Sequence, residues 1–210
     1  MNEKLTTPVK DLVVLAADKN MEATIRGLLQ RPEALGIRSV SADVFVHPYR
    51  DPGVVNGAHE FLAHFIARYS HALVMFDRQG CGREESAEDV RKEVQCRLDG
   101  MGWMDRSAVI VLDPELEIWV WSDSPHVSQA LGMSSADLES LLSPKYRPKG
   151  QLKPNHPKDA MEEALWHSRI PRSSSIYSQL ADRVGVKRCT DPAFLSLKAC
   201  LHQWFPPRGT

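Results

Sequence analysis

The residues of this chain best suited to chemistry are carboxylates placed where predicted strands end. Asp18 and Glu22 lie four residues apart after the first apolar run, and Asp77 follows the third. Glu115 and Glu117 follow the fourth. Carboxylate oxygens on rigid elements suit Mg²⁺ or Mn²⁺, which can position phosphate oxygens and generate a nucleophile. The set predicts a divalent-metal site; the alternative is that each carboxylate caps a helix start or strand end.

Basic residues in the last third of the chain form a second candidate group. They lie in and after a Pro-rich stretch: Lys153, Lys158, Arg169 and Arg172. Lys and Arg side chains supply many of the contacts that proteins make to nucleic-acid phosphates. The group predicts a surface for nucleic acid or a partner protein, and the alternative is a solvated linker.

Other chemical motifs are missing or fail on geometry. The chain has no P-loop, no dinucleotide-binding glycine pattern and no nucleophile elbow. His59 and His64 resemble a zinc-protease pair but are five residues apart. On a helix this separates them by about 140°, so they cannot share a metal from one face.

Four short apolar runs predict the strands that must position these residues. They cover 12–17, 39–46, 72–76 and 108–113, and amphipathic helices are predicted at 21–29, 57–69 and 86–98. The two prolines and the glycine of 49–56 predict a loop. This alternation predicts an α/β, Rossmann-like fold with a mostly parallel four-stranded sheet flanked by helices.

The segment 108–123 joins the fourth predicted strand to the acidic motif. Pro114 has no N–H to donate and should end the strand. Asp113 then suits an N-cap and Pro114 a first helical position, so we expect a helix to begin there. Trp119 is expected in the core, and Trp121 is placed to pack on the C-terminal helices.

A Pro-, Lys- and Gly-rich stretch over 142–157 predicts a boundary. We expect an α/β domain over 1–142, then a basic linker and a C-terminal helical subdomain over 143–210. Its helices are predicted at 159–167, 174–184 and 192–204. Residues 143–210 carry 12 Lys and Arg against 5 Asp and Glu, although the whole chain has a net charge of −1. The two parts are therefore expected to present different surfaces.

Length and composition set the class of protein. The 210 residues are 42% hydrophobic and 25% charged, as in folded globular proteins. No apolar run approaches the roughly 20 residues of a membrane span, and the N-terminal residues lack a signal-peptide pattern. The four cysteines lack C-x-x-C spacing and do not predict a zinc site. We expect a cytoplasmic protein without a membrane partner.

The acidic motifs resemble those of Toprim-like proteins, a fold shared by topoisomerases, primases and overcoming-lysogenization-defect nucleases. More closely, the chain resembles a bacterial Toprim-related family often encoded beside phage-defence systems. That family has Glu-Gly-x-Thr-Glu after strand one, Asp-x-Asp after strand three, and Glu-Leu-Glu-x-Trp followed by Asp after strand four. Residues 114–123, PELEIWVWSD, match the third motif. The spacing of Asp18 and Glu22 matches the first, and Asp77 begins the second.

Three positions depart from the family pattern. Asp18 stands where the family has the Glu proposed as general acid/base, and Lys19 replaces the following Gly. Gln79 replaces the second Asp of Asp-x-Asp, which removes one anionic metal ligand. A site with one ion remains compatible with this sequence, whereas a two-metal site loses a ligand.

The resemblance implies two functions. In the first, the protein is a Mg²⁺- or Mn²⁺-dependent nuclease component of an anti-phage system. Asp18 or Glu22 would handle the proton, the carboxylates after strands three and four would hold the metal, and the basic group would hold DNA or RNA. In the second, it is a catalytically degenerate Toprim-fold subunit that binds other defence proteins.

Overall fold

The computed structural model describes residues 10–186 and 189–207. In these ranges four strands form one sheet: β1 Lys10–Ala16, β2 Ala42–Val46, β3 Tyr69–Asp77 and β4 Ser107–Leu112. Their order is β2-β1-β3-β4 and every neighbouring pair is parallel. The predicted α/β class with a four-stranded parallel sheet is thereby confirmed. Residues 1–9, where the signal-peptide pattern was sought, lie outside the described ranges.

Helices flank the sheet and make up the C-terminal part. The α-helices are α1 Lys19–Leu29, α2 Pro32–Leu35, α3 Arg50–Ala63, α4 Ala87–Leu98, α5 Pro125–Ala130, α6 Ser135–Leu142, α7 Pro157–Ser168, α8 Ser174–Arg183 and α9 Pro192–Trp204. A π-helical turn, Asp99–Trp103, follows α4, and a 3₁₀ turn, Leu116–Trp119, follows β4. None of the helices in the described part of the chain has the length and apolar character to cross a membrane.

The two central strands, β1 and β3, are buried on both faces of the sheet. Val13 and Val14 of β1 are adjacent and so point to opposite faces of the sheet, yet both are fully buried, as are Val74 and Met75 of β3. Continuous apolar strands of this kind need cover on both faces. The core therefore lies around β1 and β3, and the loops at their carboxyl ends rest on a rigid base.

The predicted loop at 49–56 is wrong, because α3 begins at Arg50. Pro52 falls in the first turn of this helix, where a missing N–H breaks no intrahelical bond. Position 53 has no room for a side chain, because His47 packs against the helix backbone there. A Cβ at residue 53 would lie 2.2 Å from His47 Nδ1. The helix also ends earlier than predicted, at Ala63, and Tyr69 begins β3.

The predicted helix start at Pro114 is also wrong. Glu115 is extended, with φ −162° and ψ 169°, and only the single 3₁₀ turn follows it. The N–H of Leu116 donates to Asp77 Oδ1 at 2.8 Å. Asp77, at the end of the neighbouring strand, thus caps the turn in place of Asp113.

The C-terminal helices follow the sequence prediction closely and pack on the sheet part. Residues 143–156 form neither helix nor strand. Helix α8 lies directly against α1, where a Cβ at Gly27 would be 2.8 Å from the Cβ of Ala181. Arg31 also donates to the carbonyls of Ala181 and Val184. The C-terminal part is consequently held against α1.

Candidate functional site

The candidate site lies where β1 and β3 end side by side. The chain leaves β1 toward β2 and leaves β3 toward β4, so the two connections diverge. In parallel α/β sheets this divergence opens a crevice at the carboxyl edge, where ligands commonly bind. Asp18 follows β1 and Asp77 ends β3, so the sequence prediction places both carboxylates at this crevice.

The side chains of Asp18 and Glu22 both accept hydrogen bonds from groups of helix α1. Asp18 is its N-cap, and Oδ1 accepts a hydrogen bond from the N–H of Met21 at 2.8 Å. Glu22 accepts from the guanidinium of Arg26 at 2.9 Å, and that guanidinium also donates to the carbonyl of Val44. Asp18 therefore fits the capping alternative, and Glu22 pairs with a residue of its own helix.

Asp77 belongs to a group of carboxylates at the crevice. Its N–H donates to Asp51 Oδ1 at 2.8 Å, which places Asp51 beside it. Desolvation raises the pKa of Asp77 well above its usual range. The neighbouring charge of Asp51 raises it further, followed by those of Glu117 and Asp18. Desolvation also raises the pKa of Asp51. Protonation of either carboxyl relieves the repulsion within the group.

Asp51 is the site residue that the sequence analysis missed. It lies in the first turn of α3, close after the carboxyl end of β2. The general signal was present, because a carboxylate follows this strand as others follow β1 and β3. Because 49–56 was predicted to be a loop, Asp51 was not recognised as a carboxylate at a helix start.

Glu115 and Glu117 form their hydrogen bonds with residues of the C-terminal part. Glu115 is buried and accepts from the N–H of Lys158, in the first turn of α7, at 3.1 Å. Burial raises its pKa, and the charge of Glu117 adds to this. Glu117 is only 3% exposed and accepts from the hydroxyl of Tyr177 at 2.5 Å and from Arg172 Nη2.

Tyr177 and Arg172 complete the environment of Glu117. Burial and then the charge of Glu117 raise the pKa of Tyr177, so its hydroxyl stays protonated and donates. Arg172 Nε donates to the same hydroxyl at 3.3 Å, and Nη1 donates to the exposed Glu162 at 2.8 Å. A buried carboxylate needs this combination of opposite charge and hydrogen bonds.

Two tryptophans of the same segment also form hydrogen bonds with the C-terminal part. Trp119 Nε1 donates to Asp191, the N-cap of α9, at 2.9 Å. Trp121 Nε1 donates to the carbonyl of Pro157, at the start of α7, at 2.9 Å. Trp121 therefore packs on the C-terminal helices as predicted. Residues 115, 117, 119 and 121 thus each make at least one polar contact with that part of the chain.

The predicted basic group is divided among separate contacts. Lys153 Nζ lies 3.4 Å from Asp191, and Lys158 uses its N–H on Glu115. Arg169 ends α7 in a left-handed conformation, φ 56°, with its side chain exposed. Arg172 bonds to Glu117. The structure thus pairs a predicted phosphate contact with a predicted metal ligand.

The predicted ligands do not fit a Mg²⁺ or Mn²⁺ ion as they stand. Asp77, Glu115 and Glu117 each accept hydrogen bonds from donors of this chain. Within 10–186 and 189–207, no three His, Cys, Asp or Glu side chains are arranged to hold a metal. An ion at Glu117 Oε1 would compete with the guanidinium of Arg172 and the hydroxyl of Tyr177, which both donate to that atom.

No family model, curated protein or solved structure matches this chain. The fold and the contacts above are therefore the basis for assigning a function.

Replacing Arg172 should expose how strongly Glu117 depends on it. We expect Arg172→Met to lower the free energy of unfolding by about 2–4 kcal/mol, because it leaves a buried carboxylate without its cation. Urea unfolding at neutral pH measures this. Glu162→Gln is the matched control: it removes the exposed partner of the same arginine and should change stability by less than about 1 kcal/mol. Equal small losses in both variants would contradict the proposed dependence.

The raised pKa of Asp77 gives a pH prediction. A carboxyl whose pKa is raised by folding stabilises the protein below its usual value of 3.8 and loses that contribution as pH rises through the folded-state pKa. Asp77→Asn keeps an acceptor for Leu116 and removes the buried charge, so it should stabilise the protein at neutral pH. The difference should shrink toward pH 4, as measured by thermal unfolding across pH.

Asp11→Asn is the control of opposite sign. A hydrogen bond from Arg38 holds the pKa of Asp11 well below its usual range. This variant should therefore destabilise the protein at neutral pH. Destabilisation by Asp77→Asn at neutral pH would show that the ionised carboxylate is required for folding, against the prediction.

Proposed function

We propose that this chain is a catalytically degenerate, Toprim-like binding subunit of a bacterial anti-phage defence complex. The observation that carries the proposal is the contact of Glu117 with Arg172 and Tyr177. A carboxylate buried against a guanidinium already has its counter-charge. The residue types that resemble a metal motif are used here to hold the protein's own helices.

The departures from the family pattern support the same conclusion. Gln79 replaces an anionic ligand, and Asp18 is one methylene shorter than the Glu of the family and caps α1. Lys153 and Arg172 form ion pairs with acidic groups of this chain, and the backbone N–H of Lys158 donates to Glu115. What remains is an α/β scaffold that carries an attached helical part, an arrangement suited to binding other defence proteins.

The second candidate is the metal-dependent nuclease acting on DNA or RNA. It is favoured by Asp18, Asp51 and Asp77, whose carboxylates influence one another at the crevice. It requires that an ion overcome the internal hydrogen bonds of this edge. The two candidates differ in what the purified protein does with Mg²⁺ or Mn²⁺.

We expect the purified protein to leave plasmid DNA, single-stranded DNA and RNA intact with Mg²⁺ or Mn²⁺. Co-expression with the products of neighbouring genes should give a stable complex on size-exclusion chromatography with light scattering. EDTA should not dissociate that complex, and Asp77→Ala should preserve defence in cells.

Metal-dependent cleavage that is abolished by Asp77→Ala would overturn the binding assignment in favour of the nuclease. Glu162→Gln, which changes an exposed carboxylate on α7, is the control for unspecific effects of lost charge. A protein that forms no complex with any of these gene products would also contradict the proposal.

A further inference from the structure

His71 carries a buried polar atom that none of the contacts described so far uses. It is the third residue of β3 and lies near the amino end of the sheet, whereas the acidic crevice lies at the carboxyl end. Its Nδ1 is shielded from solvent and has no hydrogen-bond partner within 10–186 and 189–207. Buried polar atoms are usually hydrogen-bonded, so this ring nitrogen calls for an explanation.

The ring of His71 holds the C-terminal end of α9 on the sheet. The indole of Trp204 stacks on it, with the ring centroids 4.7 Å apart and the planes inclined by 26°. Phe205 meets the same ring edge to face at 5.2 Å. The carbonyl of Phe205 also accepts from the N–H of Arg38 at 3.1 Å. The docking of residues 204 and 205 therefore depends on aromatic contacts with a titratable group.

The charged groups around His71 oppose its protonation. Arg106, which precedes β4, donates to backbone carbonyls, and these contacts do not neutralise its charge. The guanidinium of Arg38 lies 5.0 Å from the ring centroid of Phe205. Asp11, next to the β1 residue that pairs with His71, is bonded to Arg38 through both carboxylate oxygens. A proton on His71 would therefore add a third positive charge to this group.

These surroundings lower the pKa of His71. Burial lowers it below its usual value of 6.5, and the charge of Arg106 lowers it further. The charge and backbone of Asp11 raise the pKa, and the charge of Arg38 lowers it again. The ring is therefore neutral at neutral pH. A pKa lowered by folding gives stability that is present above the unfolded value of 6.5 and is lost as pH falls through the folded-state pKa.

We propose that His71, Trp204 and Phe205 form a pH-sensitive latch, which holds the end of α9 on the sheet at neutral pH and releases it on acidification. This inference goes beyond the proposed function and does not depend on it. The other end of α9 stays attached, because Trp119 bonds to its N-cap, Asp191. Release is therefore local, and it uncovers the face of the sheet around His71.

Amide hydrogen exchange of the full chain, followed by NMR from about pH 7.5 to about pH 5, tests the latch. The protection factors of Trp204 and Phe205, corrected for the intrinsic effect of pH on exchange, should fall at least about tenfold. The amide of Arg38 should follow them, because it donates to Phe205. The imidazole signal of His71 should titrate with the same midpoint, below 6.5. The amide of Ile110, in β4, should keep its protection.

Two variants separate His71 from other titrating groups. His71→Phe keeps an aromatic ring for Trp204 but cannot be protonated, so the protection of residues 204 and 205 should become independent of pH. His202→Gln is the matched control, because it removes an exposed histidine of the same helix. This control should release the end of α9 as the unaltered chain does.

Three results would overturn the latch. The first is a titration midpoint of His71 at or above 6.5, which would mean that attraction between the imidazolium and the indole of Trp204 outweighs desolvation. The second is unchanged protection of residues 204 and 205 while His71 titrates. The third is an equal loss in His71→Phe, or no loss in His202→Gln, which would assign the effect to another group. The titration of the unaltered chain decides the question even if His71→Phe does not fold.

Discussion

The buried carboxylate of Glu117 is the constraint on which the arrangement of this protein depends. A charge taken out of water costs several kcal/mol unless an opposite charge and hydrogen bonds replace the solvent. Arg172 and Tyr177 supply both, and they come from the connection between α7 and α8 and from α8 itself. Satisfying this one group therefore fixes two C-terminal helices against the end of β4.

The rest of the acidic motif extends that attachment. Glu115 reaches the start of α7, Trp119 the N-cap of α9, and Trp121 the start of α7 again. Each contact satisfies a polar group that packing would otherwise leave buried without a partner. The motif thus joins the sheet to every long helix of the C-terminal part. Chemistry at these carboxylates would require the attachment to open.

Local patterns predicted those elements whose signals lie within a few residues. The apolar runs located β1 and β3, and the helices predicted at 86–98 and 192–204 correspond to α4 and α9. The failures arose where distant residues decide. In α3, the packing of His47 against residue 53 leaves room only for glycine. The 3₁₀ turn is capped by Asp77, which comes from the neighbouring strand. Glu117 and Arg172 are 55 positions apart, so their pairing could not be read from local patterns. Glu117 was therefore predicted to bind a metal and Arg172 to bind nucleic acid or a partner.

Anomalous scattering from a crystal soaked in Mn²⁺ tests the central claim most directly. If Glu117 serves to hold the helices, its carboxylate will remain bonded to Arg172 and Tyr177. No manganese peak will then lie within ligand distance of Asp77, Glu115 or Glu117. A peak coordinated by Glu115 and Glu117, with the guanidinium of Arg172 displaced, would contradict this interpretation and restore the motif as a metal site.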